Sequence, residues 1–285
     1  MLKTLGAVML LLSLAACAGA PNRPEITATG GVEPASLAAA ADLAREEGRF
    51  ADAMTLYQRV LVADQKAVAS QYGMAECLLA LGRAGEARPI FATLVADANF
   101  HARALQGGGL ALLVLERREQ AASLLRDAVA SDPKSWRALN GLGMLADLKH
   151  QPGEAQAFYE KALALNPNSA MLINNRGYSR LMEGKPEEAA ADFRAALALD
   201  PGSETIEGNL RIAIASRGAY AEALRGVPRE KLSAAQNNVG FIAMRRGDLA
   251  AAENLLNRAM TDSPSYETVA AKNLDQVSAM EGKPQ

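Results

Sequence analysis

The sequence predicts an all-α protein, a right-handed superhelix of about seven stacked helical pairs closed by one further helix. Three observations predict it. First, the 285 residues are 49% hydrophobic and only 5% aromatic. Ala and Leu, both strong helix formers, carry most of that apolar content, and β-branched residues are sparse. Second, Pro133, Pro167 and Pro201 stand 34 residues apart. Third, the same residue types recur in register between them. Ala162-Leu-Ala-Leu-Asn-Pro167 nearly repeats as Ala196-Leu-Ala-Leu-Asp-Pro201, Tyr159 answers to Phe193, and Ala155 to Ala189. A period of this length marks a stack of small units, none of which buries its apolar face alone.

The chain opens with a charged start at Lys3 and a ten-residue apolar run, Leu5 to Leu14, too short to span a bilayer as a helix. Residues 1–16 therefore read as a signal peptide. Leu14-Ala15-Ala16-Cys17 resembles the lipobox of bacterial lipoproteins. That resemblance implies cleavage before Cys17 and lipidation of its thiol with palmitate-like chains, each buried CH₂ adding about 0.8 kcal/mol to membrane anchoring. Ala18 follows where inner-membrane lipoproteins of enteric bacteria often carry Asp. The resemblance thus implies the outer membrane, with the chain held at its periplasmic face. Residues 17–34 carry Pro, Gly and Thr without a helical stripe, and read as a flexible tether from Cys17.

Residues 35–264 hold the repeats. Gly48, Ala53 and Tyr57 mark the first unit, and Gly82, Ala87 and Phe91 the second. Gly109, Ala121 and Leu125 mark the third; Gly143, Ala155 and Tyr159 the fourth; Gly177, Ala189 and Phe193 the fifth. Gly218 and Ala223 belong to a sixth, whose second helix (Tyr220 to Leu224) is cut off by Gly226-Val227-Pro228. Gly240, Gly247, Ala252, Ala259 and Pro264 mark the seventh. Glycine and alanine lie where the paired helices approach most closely, the aromatic ring fills the gap to the next unit, and proline ends the second helix. This pattern resembles the tetratricopeptide repeat (TPR), and the resemblance implies a solenoid with a concave face built from first helices. Residues 265–281 read as a capping helix with Val269, Leu274, Val277 and Met280 inward.

Three arginines depart from the pattern. Arg211 occupies the slot of Gly143, Gly177 and Gly240, where overpacking costs about 1–3 kcal/mol unless the shortened helix makes room. Arg176 replaces the Leu beside Gly177, and Arg180 follows one turn on. Two readings stay open: a cluster for an acidic partner, or arms that run out to solvent at the junction with the shortened unit.

The composition excludes several functions. Thirty basic against 32 acidic residues give a net charge of −2 without a basic run, so no nucleic-acid footprint exists. Two cysteines and two histidines make no metal-ligand spacing, and no cofactor is implied. No zincin, nucleophile-elbow or phosphate-loop motif occurs, so the chain reads as a non-enzyme. Gln106-Gly107-Gly108-Gly109 falls at the tight packing slot rather than in a loop, and Cys77 among Met74, Leu78 and Leu81 reads as a buried small hydrophobe. His150 takes the turn position held elsewhere by Gly48, Gly82, Gly184, Gly218 and Gly247; His101 begins a helix without a visible partner. The side chains expected to project into the groove are Arg103, Gln106, Arg137, Asn140, Met144, Asn174, Tyr178, Leu181, Asn237, Phe241 and Met244. Asn140, Asn174 and Asn237 share one slot and could hydrogen-bond an extended peptide, while Tyr178, Phe241 and the methionines take its apolar side chains. None of these slots holds the Lys used by TPR proteins that clamp a C-terminal carboxylate.

The C-terminal third resembles the TadD family of TPR lipoproteins, which serve Tad/Flp (type IVb) pilus assembly. The resemblance rests on Asn174-Asn-Arg-Gly-Tyr-Ser-Arg-Leu-Met-Glu-Gly184, Gly218-Ala-Tyr-Ala-Glu-Ala-Leu224, Asn237 to Leu249, and Ala259-Met-Thr-Asp-Ser-Pro264. It implies protein partners, among them a secretin and other Tad pilus proteins, and a role in secretin assembly or localisation. The alternative is an envelope adaptor that recruits peptidoglycan-processing enzymes, as other TPR lipoproteins do.

Overall fold

Helix boundaries fall where the sequence places prolines, serines and turn residues. Pro34, Pro152 and Pro186 open helices in the first turn, where a missing N–H costs nothing. Ser169 and Ser203 cap theirs, accepting from the amides of Leu172 and Ile206 at 3.3 and 3.4 Å. The computed structural model describes residues 33–262, 267–280 and 282, and these form fifteen helices without a strand. The expected signal peptide, Cys17 and the tether up to residue 32 lie outside the described residues.

The chain divides into two compact units, the first ending at Pro167 and the second starting at Asn168. The first unit holds four antiparallel pairs: α1 (Pro34–Glu46) with α2 (Phe50–Ala63), α3 (Val68–Ala80) with α4 (Ala84–Leu94), α5 (His101–Val114) with α6 (Arg118–Ser131), and α7 (Trp136–Leu148) with α8 (Pro152–Leu165). The second holds three: α9 (Ala170–Met182) with α10 (Pro186–Leu199), α11 (Glu204–Ser216) with the four-residue α12 (Tyr220–Ala223), and α13 (Arg229–Arg246) with α14 (Leu249–Asp262). One further helix, α15 (Glu267–Met280), follows.

The repeated residue types do the packing the period implied. Tyr57, Phe91, Leu125, Tyr159, Phe193 and Leu256 are buried at equivalent places on the second helices. A Cβ added at Gly143 would stand 2.8 Å from the ring of Tyr159, and one at Gly177 2.9 Å from that of Phe193. At these two positions a side chain would force the ring to shift. The turns between paired helices need a left-handed residue: φ is +75° at Gly48, +76° at Gly82, +77° at Gly184, +84° at Gly218 and +83° at Gly247. His150 (φ +56°) and Glu116 (φ +58°) adopt the same conformation with a Cβ to accommodate.

Two expectations need correction here. In α15 the buried residues are Ala270 and Val277, with Leu274 half-buried, while Val269 and Met280 are exposed. The inward stripe runs through Ala270, Asn273, Leu274 and Val277, a rotation of about 100° per residue from the one expected at Val269. His101 also has a partner, since its Nδ1 donates to the carbonyl oxygen of Val95 at 2.7 Å.

Candidate functional site

Within each unit the first helices of successive pairs pack against one another, α1 on α3, α3 on α5 and α5 on α7, and likewise α9, α11, α13 and α15. The second helices are held further apart, so each unit curves with its first helices inside. Their exposed faces line the candidate groove.

In the first unit Glu76 organises that face. Its carboxylate accepts from Arg45 Nη1 of α1 and Arg137 Nη1 of α7, each at 3.0 Å, and from the hydroxyl of Tyr72 at 2.9 Å. The Tyr57 hydroxyl donates to Asp42 and receives Arg45 Nε at 3.2 Å. Burial opposes the Arg45 charge, but the bond to Tyr57 and the Glu76 carboxylate outweigh it and raise its pKa. Burial, with Glu76 beside it, pushes the Tyr72 phenol above the usual range, and burial with Asp42 does the same for Tyr57. Arg103 lies over two rings, its guanidinium carbon 4.5 Å from the centroid of Phe100 and 5.3 Å from that of Tyr72. Arg137 lies 5.2 Å over Trp136. Of the expected groove residues, Arg103 and Arg137 are exposed. Gln106, Asn140 and Met144 are buried instead: Gln106 accepts from the Ser135 hydroxyl at 2.8 Å, and Asn140 Nδ2 reaches the Met144 sulfur at 3.6 Å.

In the second unit Tyr178, Leu181 and Phe241 are half-buried, whereas Asn174, Asn237 and Met244 are buried and do not project. Asn174 accepts from Asn209 at 2.9 Å, and Asn237 accepts from Asn273 at 3.0 Å. Asn174 and Asn237 thus tie α9 to α11 and α13 to α15. Their side-chain oxygens are spent on the fold, which corrects the expectation that they face a peptide. Asn209 and Asn273 trail their partners by 35 and 36 residues, a signal the 34-residue register hid.

The three departing arginines also find partners inside the protein. Arg176 grips Asp192 of α10 with Nε at 3.0 Å and Nη2 at 2.6 Å, and Arg180 Nη1 adds a third bond at 2.8 Å. Asp192 is buried. Rather than running out to solvent, the pair therefore turns onto the second helix of its own repeat, where the buried Asp192 carboxylate binds both guanidinium groups. Arg211 bonds Glu207 and gives Nη1 to the carbonyls of Ala223 and Arg225 at 3.1 and 3.5 Å. It fills the space a longer α12 would take and satisfies the carbonyls that its early end exposes.

Sequence reasoning missed Arg45, Tyr72, Glu76 and Phe100. Glu76 lies 31 residues from Arg45 and 61 from Arg137, separations that no single-repeat pattern links. Among the described residues, no three His, Cys, Asp or Glu side chains are placed to hold a metal ion, and no helix is long and apolar enough to cross a membrane.

Two profiles of the tetratricopeptide repeat match the chain, one over residues 44–107 and the other over 107–170 and 149–204, together more than half its length. The chain belongs to the tetratricopeptide-repeat family. No curated protein matches it. Among solved structures it is similar to TTC0263, a thermophilic TPR protein of Thermus thermophilus, at 24% identity and TM-score 0.56, over 67% of this chain and 99% of that one. The anaphase-promoting-complex assembly Cut9-Hcn1 matches at 17% identity and TM-score 0.62, over 88% of this chain and 51% of the other. A TPR protein of Parabacteroides merdae matches at 15% identity and TM-score 0.53, over 86% and 98%. At these identities the likeness is one of fold. TPR repeats typically serve as scaffolds for protein–protein interaction.

Proposed function

We propose that the protein is a non-enzymatic, lipid-anchored scaffold at the periplasmic face of a bacterial outer membrane. There its groove holds a segment of a Tad/Flp pilus protein, the secretin or a protein assembled with it. The observation that carries the binding half is the first unit's groove, where Arg103 lies exposed over two aromatic rings and Arg137, exposed over Trp136, gives only Nη1 to Glu76. The anchor rests on Leu14-Ala15-Ala16-Cys17, and the pilus assignment on the TadD-like stretches from Asn174 to Pro264. The mechanism is adhesive: the lipid on Cys17 confines the scaffold to the membrane surface, which raises the local concentration of its groove near a membrane partner.

Cross-linking in cells that carry a tagged copy, with Cys17→Ser as comparison, tests this reading. Recovery of a secretin or Tad proteins from the outer membrane, lost or mislocalised with Cys17→Ser, is the expected result. Recovery of peptidoglycan synthases or hydrolases without a secretin would replace the pilus role by the adaptor role.

A further inference from the structure

We propose that the groove of the first unit recognises an acidic segment of its partner through two Asp or Glu side chains three residues apart, one bound at Arg103 and the other at Arg137. The inference rests on the protein-binding reading and deepens it. The groove's own carboxylates are already engaged: Glu76 is shared by Arg45, Arg137 and Tyr72, and Asp42 takes the Tyr57 hydroxyl. Among the described residues Arg103 has no carboxylate within 4.0 Å, and Arg137 spends only Nη1. A guanidinium held over a ring face by its π-electrons keeps N–H groups free for a carboxylate, which it can take in a bidentate grip. Contact with Tyr72 and Phe100 restricts the Arg103 guanidinium, and Trp136 that of Arg137, so less side-chain freedom is lost on binding.

Backbone placement adds to the same sign of charge. Arg103 is the third residue of α5 and Arg137 the second of α7, and neither helix has a side-chain cap. Ser135, at the N-cap of α7, gives its hydroxyl to Gln106 instead. Two helix dipoles thus present their positive ends beside the two guanidinium groups.

The spacing follows from the repeat. Arg103 and Arg137 hold equivalent positions, 34 residues apart, on adjacent first helices, whose packed axes stand about 8–10 Å apart. A polyproline-II segment rises about 3.1 Å per residue with three residues per turn, so side chains three apart project the same way at about 9 Å.

The probe is a fluorescent nine-residue peptide, acetylated and amidated, with Glu at two positions three apart in an Ala/Pro/Tyr background, titrated by anisotropy into purified protein carrying Cys17→Ser. The expected result is binding that weakens at least tenfold when both Glu become Gln, that weakens similarly with Arg103→Gln, and that falls with added salt. Circular dichroism melts check that each variant folds. Among the described residues Arg103 makes no ion pair, so Arg103→Gln decides the matter even if Arg137→Gln loosens the groove. Equal binding of the Gln peptide, no binding of the Glu peptide, or binding that requires a free C-terminal carboxylate would each overturn the inference. Those results leave the scaffold reading standing, because the cellular cross-linking tests that separately.

Discussion

Replacing Asp192 by leucine should cost the second unit about 3 kcal/mol. Asp192 accepts three hydrogen bonds, from Arg176 Nε and Nη2 and from Arg180 Nη1, at 2.6 to 3.0 Å, and its side chain is 5% exposed. Removing one partner of a buried ion pair typically costs about 3–5 kcal/mol, because the remaining charge is left desolvated. Here two guanidinium groups are stranded, but they keep 24% and 19% exposure and Glu188 lies 3.7 Å from Arg180 Nε, so the lower end applies. A 3 kcal/mol loss is about 150-fold in the opening equilibrium. Native-state hydrogen exchange of the α9 and α10 amides reads that factor directly, residue range by residue range. A triple change, Arg176→Leu, Arg180→Ala and Asp192→Leu, removes the charges together and substitutes Leu142 and Ala146, the residues one period earlier, for the two arginines. It should recover most of the loss, since apolar replacement of a whole buried cluster is often neutral or better. Exchange of Asp192→Leu within about threefold of the parent, or a triple variant no better than the single, would refute the reasoning.

Three further outcomes follow from the same geometry. Gly143→Ala puts a methyl group 2.8 Å from the Tyr159 ring, which its bond to Asp147 at 2.8 Å holds in place; urea denaturation should show a loss of about 1–3 kcal/mol. His150→Gly relieves a left-handed Cβ at an exposed turn and should raise stability by about 0.5–1 kcal/mol in the same assay, net of the greater freedom of glycine in the unfolded chain. Burial pushes the Cys77 thiol up to about 12. The neutral thiol is the form the fold favours, so its contribution is complete below about pH 9, the unfolded value, and drains away as pH rises toward 12. In the Cys17→Ser protein at pH 8, alkylation of Cys77 by iodoacetamide should therefore run about 10³-fold slower than in urea; comparable rates would show that the thiol is not held in the core.

Local chemistry determined most of the fold. Helix propensity, the prolines at 133, 167 and 201, and the alternation of glycine, alanine and aromatic slots act within about one repeat of sequence, and they suffice to specify paired helices and the turns between them. The early end of the sixth pair was legible in Gly226-Val227-Pro228 for the same reason. The groove was legible only as a face. Arg103 and Arg137 are exposed on it, but Gln106, Asn140, Met144, Asn174, Asn237 and Met244 are buried, because the residue that faces out depends on a helix's rotation against its neighbours in the stack. A shift of one residue, as from Val269 to Ala270, turns a side chain by about 100°. The charged networks were equally hidden. Glu76 with Arg45 and Arg137, Asp192 with Arg176 and Arg180, and Arg211 with the end of α12 join residues 12 to 61 apart. Sequence alone determined a lipobox-like start and a stack of TPR helical pairs. Only tertiary structure decided which polar residues are consumed in holding the stack and which guanidinium groups stay exposed on the groove face, because that choice is made by packing between helices and not within them.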